Sequence, residues 1–94
     1  MRRTPFKAKR DANEAELFAI LRGHGLDVEA TDKPLDAIVG YGGKTYLVEI
    51  KDGPKARMRP FQEAFFGRWR GHATILRSVD DAEQFSRAVR AGDV

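Results

Sequence analysis

Residues 35–51, LDAIVGYGGKTYLVEIK, carry the clearest structural signal in the chain. Two runs rich in branched and aromatic residues, 35–41 and 44–51, flank Gly42-Gly43, a dipeptide typical of a two-residue β-hairpin loop. If the two glycines form the loop, Tyr41 pairs with Lys44, and the residue numbers of every cross-strand pair sum to 85. An odd-length loop or a bulge would shift this register by one residue.

The register places Asp36 opposite Glu49. Because side chains alternate between the two faces of a strand, Glu49 and Lys51 point the same way as Leu47. Both faces of this second run are mostly apolar, which predicts a covered, central strand where an unpaired charge is heavily penalised. Two carboxylates directly opposite each other repel, so a cation must lie between them. A structural ion pair with Lys51 is one explanation, and a divalent cation held by oxygen ligands is the one we favour.

One helix and one strand are predicted before the hairpin. Asp11 and Glu14 have the spacing of a capping box, and the apolar residues that follow have helical spacing, which predicts a helix over residues 11–24. Residues 26–30 alternate between apolar and polar, the pattern of an edge strand with one wet face.

A second helix is predicted after the hairpin, beginning at Pro60 and closed by Gly71. It carries an aromatic stripe that we assign to the core rather than to base stacking: Phe61, Phe65 and Trp69. Gln62 falls within this stripe and should point toward the sheet near Lys51. Its amide is either satisfied by backbone groups or part of a site.

The last two elements are a strand over residues 73–79 and a helix over residues 80–91, with Ser78 and Asp81 spaced to cap that helix. The predicted order is therefore α-β-β-β-α-β-α in a single α/β domain over residues 11–94. The connection between the third and fourth strands is long enough for a right-handed crossover, which makes those strands parallel in a mixed four-stranded sheet.

Composition narrows the possible functions. The chain has 94 residues, no cysteine and two histidines. Disulfides, thiolate zinc sites and cysteine nucleophiles are therefore excluded, as are most histidine-rich metal sites. No apolar run approaches the ~20 residues that a bilayer-spanning helix needs, and no signal peptide is evident, so we expect a soluble, cytoplasmic protein.

Positive charge is concentrated in two stretches although the net charge is only +3. Residues 1–10 form a predicted flexible basic arm, and residues 51–59 form a basic loop. Such stretches suit a phosphate backbone, which rewards lysine and arginine through counterion release; for the arm alone, a simple solvated tail is an equal alternative. The candidate DNA-binding residues are Lys7, Lys9, Arg10, Lys55, Arg57 and Arg59.

The first helix could add a carboxylate to the site, and two residues compete for this role. Helical geometry slightly favours Glu14, because it lies near the centre of the stripe formed by Leu17 and Leu21, whereas Glu16 lies at its edge. A capping box would occupy Glu14 and leave Glu16 free. The residues by themselves leave this choice open.

Taken together, these motifs resemble the VRR-NUC (virus-type replication-repair nuclease) branch of the PD-(D/E)XK nuclease superfamily, in particular its small phage and prophage proteins. The resemblance covers nearly the whole chain. The residues that carry it are Asp11-Ala12-Asn13 with Glu16, the segment 35–41, the segment 47–53, Gln62, and Trp69-Arg70-Gly71.

The resemblance implies a restriction-endonuclease-like domain and a magnesium- or manganese-dependent nuclease. The implied metal ligands are Glu16, Asp36, Glu49 and the backbone carbonyl of Ile50. Lys51 would help to activate the attacking water, and Gln62 would belong to the same site.

The implied substrate is branched DNA, either a four-way (Holliday) junction or a flap, in phage replication or recombination inside a bacterial cell. A symmetric homodimer would suit the paired strands of a junction. The chain departs from the family where Leu35 separates Pro34 from Asp36 and where the loops look short. The main rival is a non-enzymatic nucleic-acid-binding or phage regulatory module on a degenerate nuclease fold, against which the intact Asp36, Glu49 and Lys51 argue.

Overall fold

The computed structural model describes residues 11–94, so the predicted arm of residues 1–10 lies outside the described part. Three helices and four strands follow one another in the predicted order, and the α/β prediction is confirmed. The elements are α1 (Glu14–Gly23), β1 (Asp27–Ala30), β2 (Ala37–Tyr41), β3 (Lys44–Ile50), α2 (Pro60–Arg68), β4 (Ala73–Leu76) and α3 (Val79–Ala91).

The hairpin between β2 and β3 has the predicted loop and register. Tyr41 pairs with Lys44 and Ala37 pairs with Val48, so every pair sums to 85. Gly42 and Gly43 have φ angles of 59° and 82°. A turn of this kind needs positive φ at both central residues, which glycine adopts without steric cost.

The four strands form one mixed sheet in the order β1-β2-β3-β4. β1 and β2 are antiparallel, as are β2 and β3, whereas β3 and β4 are parallel. The predicted edge position of β1, the central position of β3 and the parallel crossover through α2 are all confirmed. This topology surrounds β3 with neighbours on both sides.

The core lies between one face of the sheet and helices α1 and α3. Alternate residues of β3 enter it, and these side chains are almost completely buried. The core side chains include Leu17, Phe18, Leu21, Val39, Tyr46, Val48, Ile50, Ala82 and Val89. The opposite face of β3 carries Glu49, which α2 approaches through Gln62. No helix within residues 11–94 combines the length and the apolar character that crossing a bilayer requires.

The start of α1 differs from the prediction. The helix begins at Glu14, with Asn13 as its N-cap residue, and no side chain caps it. Asp11 contributes only its backbone carbonyl, which accepts a hydrogen bond of 3.1 Å from the Glu14 amide. The predicted capping box between Asp11 and Glu14 is therefore wrong. Asn13 Nδ2 donates to the Lys51 carbonyl oxygen at 3.1 Å.

For the aromatic stripe of α2, the predicted core position is confirmed for Phe65 and wrong for Phe61 and Trp69. Phe65 is 5% exposed, but Phe61 is 47% and Trp69 is 42% exposed. α2 ends at Arg68 because Trp69 adopts an extended backbone, and its ring stacks on Phe65 with centroids 5.0 Å apart. Gly71 does not close the helix; it leaves room for the Trp69 ring, which a β-carbon at that position would meet at 2.9 Å.

Helix α3 has the predicted cap but begins at Val79, one residue earlier than predicted, and the strand before it ends at Leu76 rather than at residue 79. Ser78 is its N-cap residue, and the Ser78 hydroxyl accepts a hydrogen bond of 3.1 Å from the Asp81 amide. The Asp81 carboxylate in turn accepts one of 2.8 Å from the amide of Arg77. Both partners are local, so the spacing of the two residues was sufficient to predict the cap.

Candidate active site

Two adjacent strand ends carry the candidate site. Asp36 immediately precedes β2, Glu49 and Ile50 end β3, and Lys51 follows directly. Asp36 Oδ2 accepts a hydrogen bond of 2.8 Å from the Ile50 amide. The Asp36 side chain is therefore bound to the end of β3, beside Glu49, as the hairpin register predicted.

Glu49 is the buried centre of this group. Glu49 is 2% exposed, and Lys51 is 8% exposed. Glu49 Oε2 accepts a hydrogen bond of 2.5 Å from Gln62 Nε2 and lies 3.5 Å from Lys51 Nζ. Glu49 Oε1 is buried and has no hydrogen-bond partner within residues 11–94. Protein groups thus hold one carboxylate oxygen, and the other has no partner among the described residues.

Burial and, to a smaller extent, the neighbouring Asp36 carboxylate raise the pKa of Glu49 to about 7. Lys51 and the hydrogen bond from Gln62 act in the opposite direction, but they do not compensate for the burial. Since desolvation and a like charge both disfavour the ionised form, a cation placed beside Glu49 would restore it. The site therefore attracts positive charge.

Gln62 points toward the sheet, as predicted, and is 7% exposed. Its Oε1 accepts a hydrogen bond of 3.0 Å from the Arg59 amide, while its Nε2 donates to Glu49. Both alternatives raised by the sequence are therefore realised in one side chain. The first turn of α2 orients Gln62, and Gln62 orients the Glu49 carboxylate.

Asp11 is a site residue that sequence reasoning missed. It borders the same cavity as Asp36 and Glu49, and its buried Oδ2 has no hydrogen-bond partner among the described residues. Burial raises the pKa of Asp11; Asp36 adds to this effect and Lys51 opposes it. Asp11-Ala12-Asn13 was part of the family resemblance, and this was the available signal.

The structure does not bring Glu16 to the site. Glu16 is exposed on α1 and Glu14 is half-buried, and neither borders the cavity that contains Asp36. The reason for preferring Glu16 over Glu14 also fails, because the capping box is absent. As a metal ligand, Glu16 stays a prediction from the resemblance, whereas Asp11 is the carboxylate of the N-terminal segment that the geometry places at the site.

A cavity of about 470 Å³ connects these groups. The volume falls within the ~300–1,000 Å³ typical of small-molecule sites. Its lining combines acids, bases and two apolar residues: Asp11, Asp32, Lys33, Asp36, Glu49, Ile50, Lys51, Arg59, Phe61 and Gln62. The lining thus offers carboxylates for a cation, basic side chains for an anionic group and an apolar surface beside them.

The predicted basic loop lies beside the cavity. Arg59 is exposed and borders it, and Lys55 and Arg57 are exposed nearby in the chain. Arg77 Nη1 anchors the loop by donating to the carbonyl oxygens of Gly53 at 3.0 Å and Ala56 at 2.8 Å. The other candidate DNA-binding residues, Lys7, Lys9 and Arg10, lie outside the described residues.

The donor groups suit a hard divalent cation. Within residues 11–94, no three histidine, cysteine, aspartate or glutamate side chains are arranged as a complete metal-binding group. Mg²⁺ does not need one, since it binds proteins through one or two carboxylates and keeps waters or substrate phosphates as further ligands. The buried oxygens of Glu49 and Asp11 that lack hydrogen-bond partners are donors of the required kind.

The chain matches no model of a known protein family, and no curated protein or solved structure is significantly similar to it. The resemblance to VRR-NUC nucleases therefore depends on the motif residues and stays a prediction.

Proposed function

We propose that this chain is a metal-dependent, structure-selective DNA endonuclease that hydrolyses phosphodiester bonds in branched DNA. One observation carries the proposal: Asp36, Glu49 and Lys51 meet at the ends of two adjacent strands, in a cavity bordered by basic residues. Paired acids that hold a cation, together with a lysine, suit phosphodiester hydrolysis, because the phosphate is negatively charged and gains further negative charge in the transition state. A homodimer acting on a four-way junction or a flap is part of this proposal.

Asp36, Glu49 and the backbone carbonyl of Ile50 would hold Mg²⁺ or Mn²⁺, with Asp11 adjacent. When bound, the metal ion supplies an activated water and neutralises phosphate charge. Asp36 is already positioned for this task, because the Ile50 amide holds one of its oxygens at 2.8 Å. Gln62 positions Glu49 in the same way.

Lys51 is assigned to the chemical step. Its ammonium group lies 3.5 Å from Glu49 Oε2 in a buried environment. There it would donate a hydrogen bond to the attacking water and stabilise the charge that develops on the phosphate oxygens. Such a donor is worth more in a site that excludes water than in solution. Attack of the water oxygen on phosphorus then breaks the bond to the leaving oxygen, which takes up a proton.

Substrate binding is assigned to the basic residues around the cavity. Arg59 borders the cavity, and Lys55 and Arg57 are exposed on the same loop. We propose that Lys7, Lys9 and Arg10 of the arm also contact the phosphate backbone of the DNA. Contacts of this type bind phosphates without reading bases, so cleavage should depend on the shape of the DNA more than on its sequence.

The proposal is tested with purified protein and a panel of linear, flap and four-way-junction DNAs in Mg²⁺, Mn²⁺ or EDTA. We expect metal-dependent cutting by the wild type that favours branched DNA, almost complete loss in Asp36→Asn, and normal cutting by Glu63→Gln. Glu63 is a suitable control because it is an exposed acid on α2 outside the cavity. Gel shifts without any cutting in either metal would instead identify a binding module and reject the nuclease.

A further inference from the structure

Phe61 is an exposed aromatic residue that borders the candidate active site. Its side chain is 47% exposed, and it is the large aromatic residue among the lining groups of the cavity. Single exposed apolar residues are common on protein surfaces. Phe61 differs from them in its position, because it borders the cavity that contains the candidate acids.

Trp69, which directly follows α2, is exposed as well, but contacts within the protein explain its position. Trp69 stacks on Phe65, and its indole N–H donates to the His72 carbonyl oxygen at 3.3 Å. Phe61 has no aromatic partner within residues 11–94. A cation lies over the ring: Lys33 Nζ is 5.4 Å from the centre of the Phe61 ring. The two residues thus form an aromatic surface with a cation over it at the cavity.

An aromatic ring beside cationic side chains is the arrangement that binds single-stranded nucleic acid. The ring stacks on a base, and the cations contact the adjacent phosphates. Lys33, Lys51 and Arg59 are the cations of this cavity, and Glu49 and Asp36 border it as well. A phosphate at the carboxylates and a base on Phe61 would therefore occupy one shared cavity.

We propose that Phe61 stacks on the base of an unpaired nucleotide next to the scissile phosphodiester, while Lys33 and Arg59 contact the flanking phosphates. This inference rests on the proposed function and specifies its substrate: a DNA strand with an unpaired nucleotide at the cut. Inside a duplex, both faces of a base are covered by its neighbours. Stacking on Phe61 thus requires a base that is unpaired or taken out of the helix.

The binding test measures base stacking without cleavage. In EDTA, a single-stranded DNA containing 2-aminopurine is titrated with wild type, Phe61→Ala, Phe61→Trp and Phe66→Ala, and both anisotropy and base fluorescence are recorded. We expect Phe61→Ala to bind about 5- to 100-fold more weakly and to lose the quenching of the 2-aminopurine, in line with stacking energies of ~1–3 kcal/mol per base. Phe61→Trp should retain both signals.

Phe66→Ala is the matched control, because Phe66 lies on the same helix but does not border the cavity. Thermal melts establish that each variant is folded. If Phe61→Ala and Phe66→Ala affect binding and quenching equally, the stacking role of Phe61 is rejected.

The cleavage test uses a flap substrate in Mg²⁺, with or without an abasic position next to the cut. Wild type should cut the abasic substrate about 5- to 100-fold less efficiently at limiting protein, and Phe61→Ala should cut both substrates equally slowly, because the stacked pair is already lost. If the wild type cuts efficiently and neither the abasic position nor Phe61→Ala slows cutting, the stacking inference is wrong while the proposed nuclease function stands. Phe61-dependent quenching in a protein that cuts nothing would support the base site and reject the nuclease.

Discussion

The helices α1 and α3 begin with similar sequence signals and use them differently. At the start of α3, the Ser78 hydroxyl accepts a hydrogen bond from the Asp81 amide, and the Asp81 carboxylate accepts one from the Arg77 amide. Before α1, Asp11 and Glu14 have the same spacing, but Asp11 borders the cavity. Asn13, the N-cap residue, donates to the carbonyl of Lys51, which is 38 residues away in the chain.

The difference shows when a local signal can be trusted. A capping side chain contributes roughly 0.5–2 kcal/mol, which competes with other hydrogen bonds of similar strength. At α3 the described structure shows the capping bonds in place. At α1, the Asn13 side chain binds the Lys51 carbonyl directly after β3, and Asp11 borders the cavity. We infer that contacts at the site replace the side-chain cap at the start of α1. The following predictions test this interpretation.

The largest effect is expected at Lys51, whose carbonyl binds the start of α1 and whose ammonium group lies in the site. Lys51→Ala should slow single-turnover cleavage of a junction by about 100-fold or more. It should still fold in Mg²⁺ and bind DNA. If Lys51 only balanced the two carboxylates, its removal would instead cost about 3–5 kcal/mol of stability.

Arg57→Ala is the matched control for Lys51, with Arg59→Ala beside it. Both variants should bind more weakly and with a smaller salt dependence, yet cut at the wild-type rate when protein is saturating. Normal cutting by a folded Lys51→Ala protein would contradict the assigned role of the lysine.

The second effect concerns the acids near the two helix starts. Asp11→Asn should lower metal-dependent cleavage by about 10- to 100-fold, the loss typical of groups that support a metal site. Asp81→Asn should leave cleavage unchanged, because Asp81 bonds only within its own helix start. Measured rates over a series of Mn²⁺ concentrations would separate weaker metal binding from slower chemistry.

Glu16→Gln decides between geometry and family resemblance. We expect no change in cleavage, because Glu16 is exposed and outside the cavity. Glu14→Gln provides the comparison on the same helix. A loss with Glu16→Gln and none with Asp11→Asn would return the ligand role to Glu16.

The third effect compares the two N-cap positions directly. Serine, asparagine and aspartate cap helices about equally well, so Ser78→Asp should leave the melting temperature nearly unchanged. Asn13→Asp should destabilise the protein by roughly 1 kcal/mol, because aspartate cannot donate to the Lys51 carbonyl. That loss corresponds to about 4–8 °C in a domain of this size. Thermal melts in EDTA measure both variants, and equal behaviour would show that Asn13 is an ordinary cap.

The last effect is a pH dependence that the buried acid imposes on stability. Because the pKa of Glu49 is raised to about 7 in the folded state, its protonated form favours folding. Without metal, stability is therefore greatest below the unfolded pKa and falls as pH rises toward 7. Melts in EDTA between about pH 5 and pH 8 should show a smaller decline for Glu49→Gln than for wild type. A Glu63→Gln control should decline as the wild type does.

The sequence by itself determined the hairpin and what depends on it. Gly42-Gly43 admits one favoured loop, and this loop sets the register that brings Asp36 beside Glu49. Strand alternation then placed Lys51 on the same face. These are short-range relations, so the order of elements and the central acid pair could be predicted without knowing how the helices pack.

Apart from Gln62, which helical spacing already directed toward the sheet, only the tertiary structure decided which residues outside the hairpin border the cavity. Asp11 rather than Glu16 reaches the cavity, and Phe61 is exposed there while Phe65 is buried. Both outcomes depend on the position and angle at which a helix meets the sheet. Helical periodicity defines faces of a helix, but it does not state where the helix begins or how far that face is rotated toward its neighbour. Contacts between distant segments, such as the bond from Asn13 to the Lys51 carbonyl, set those quantities.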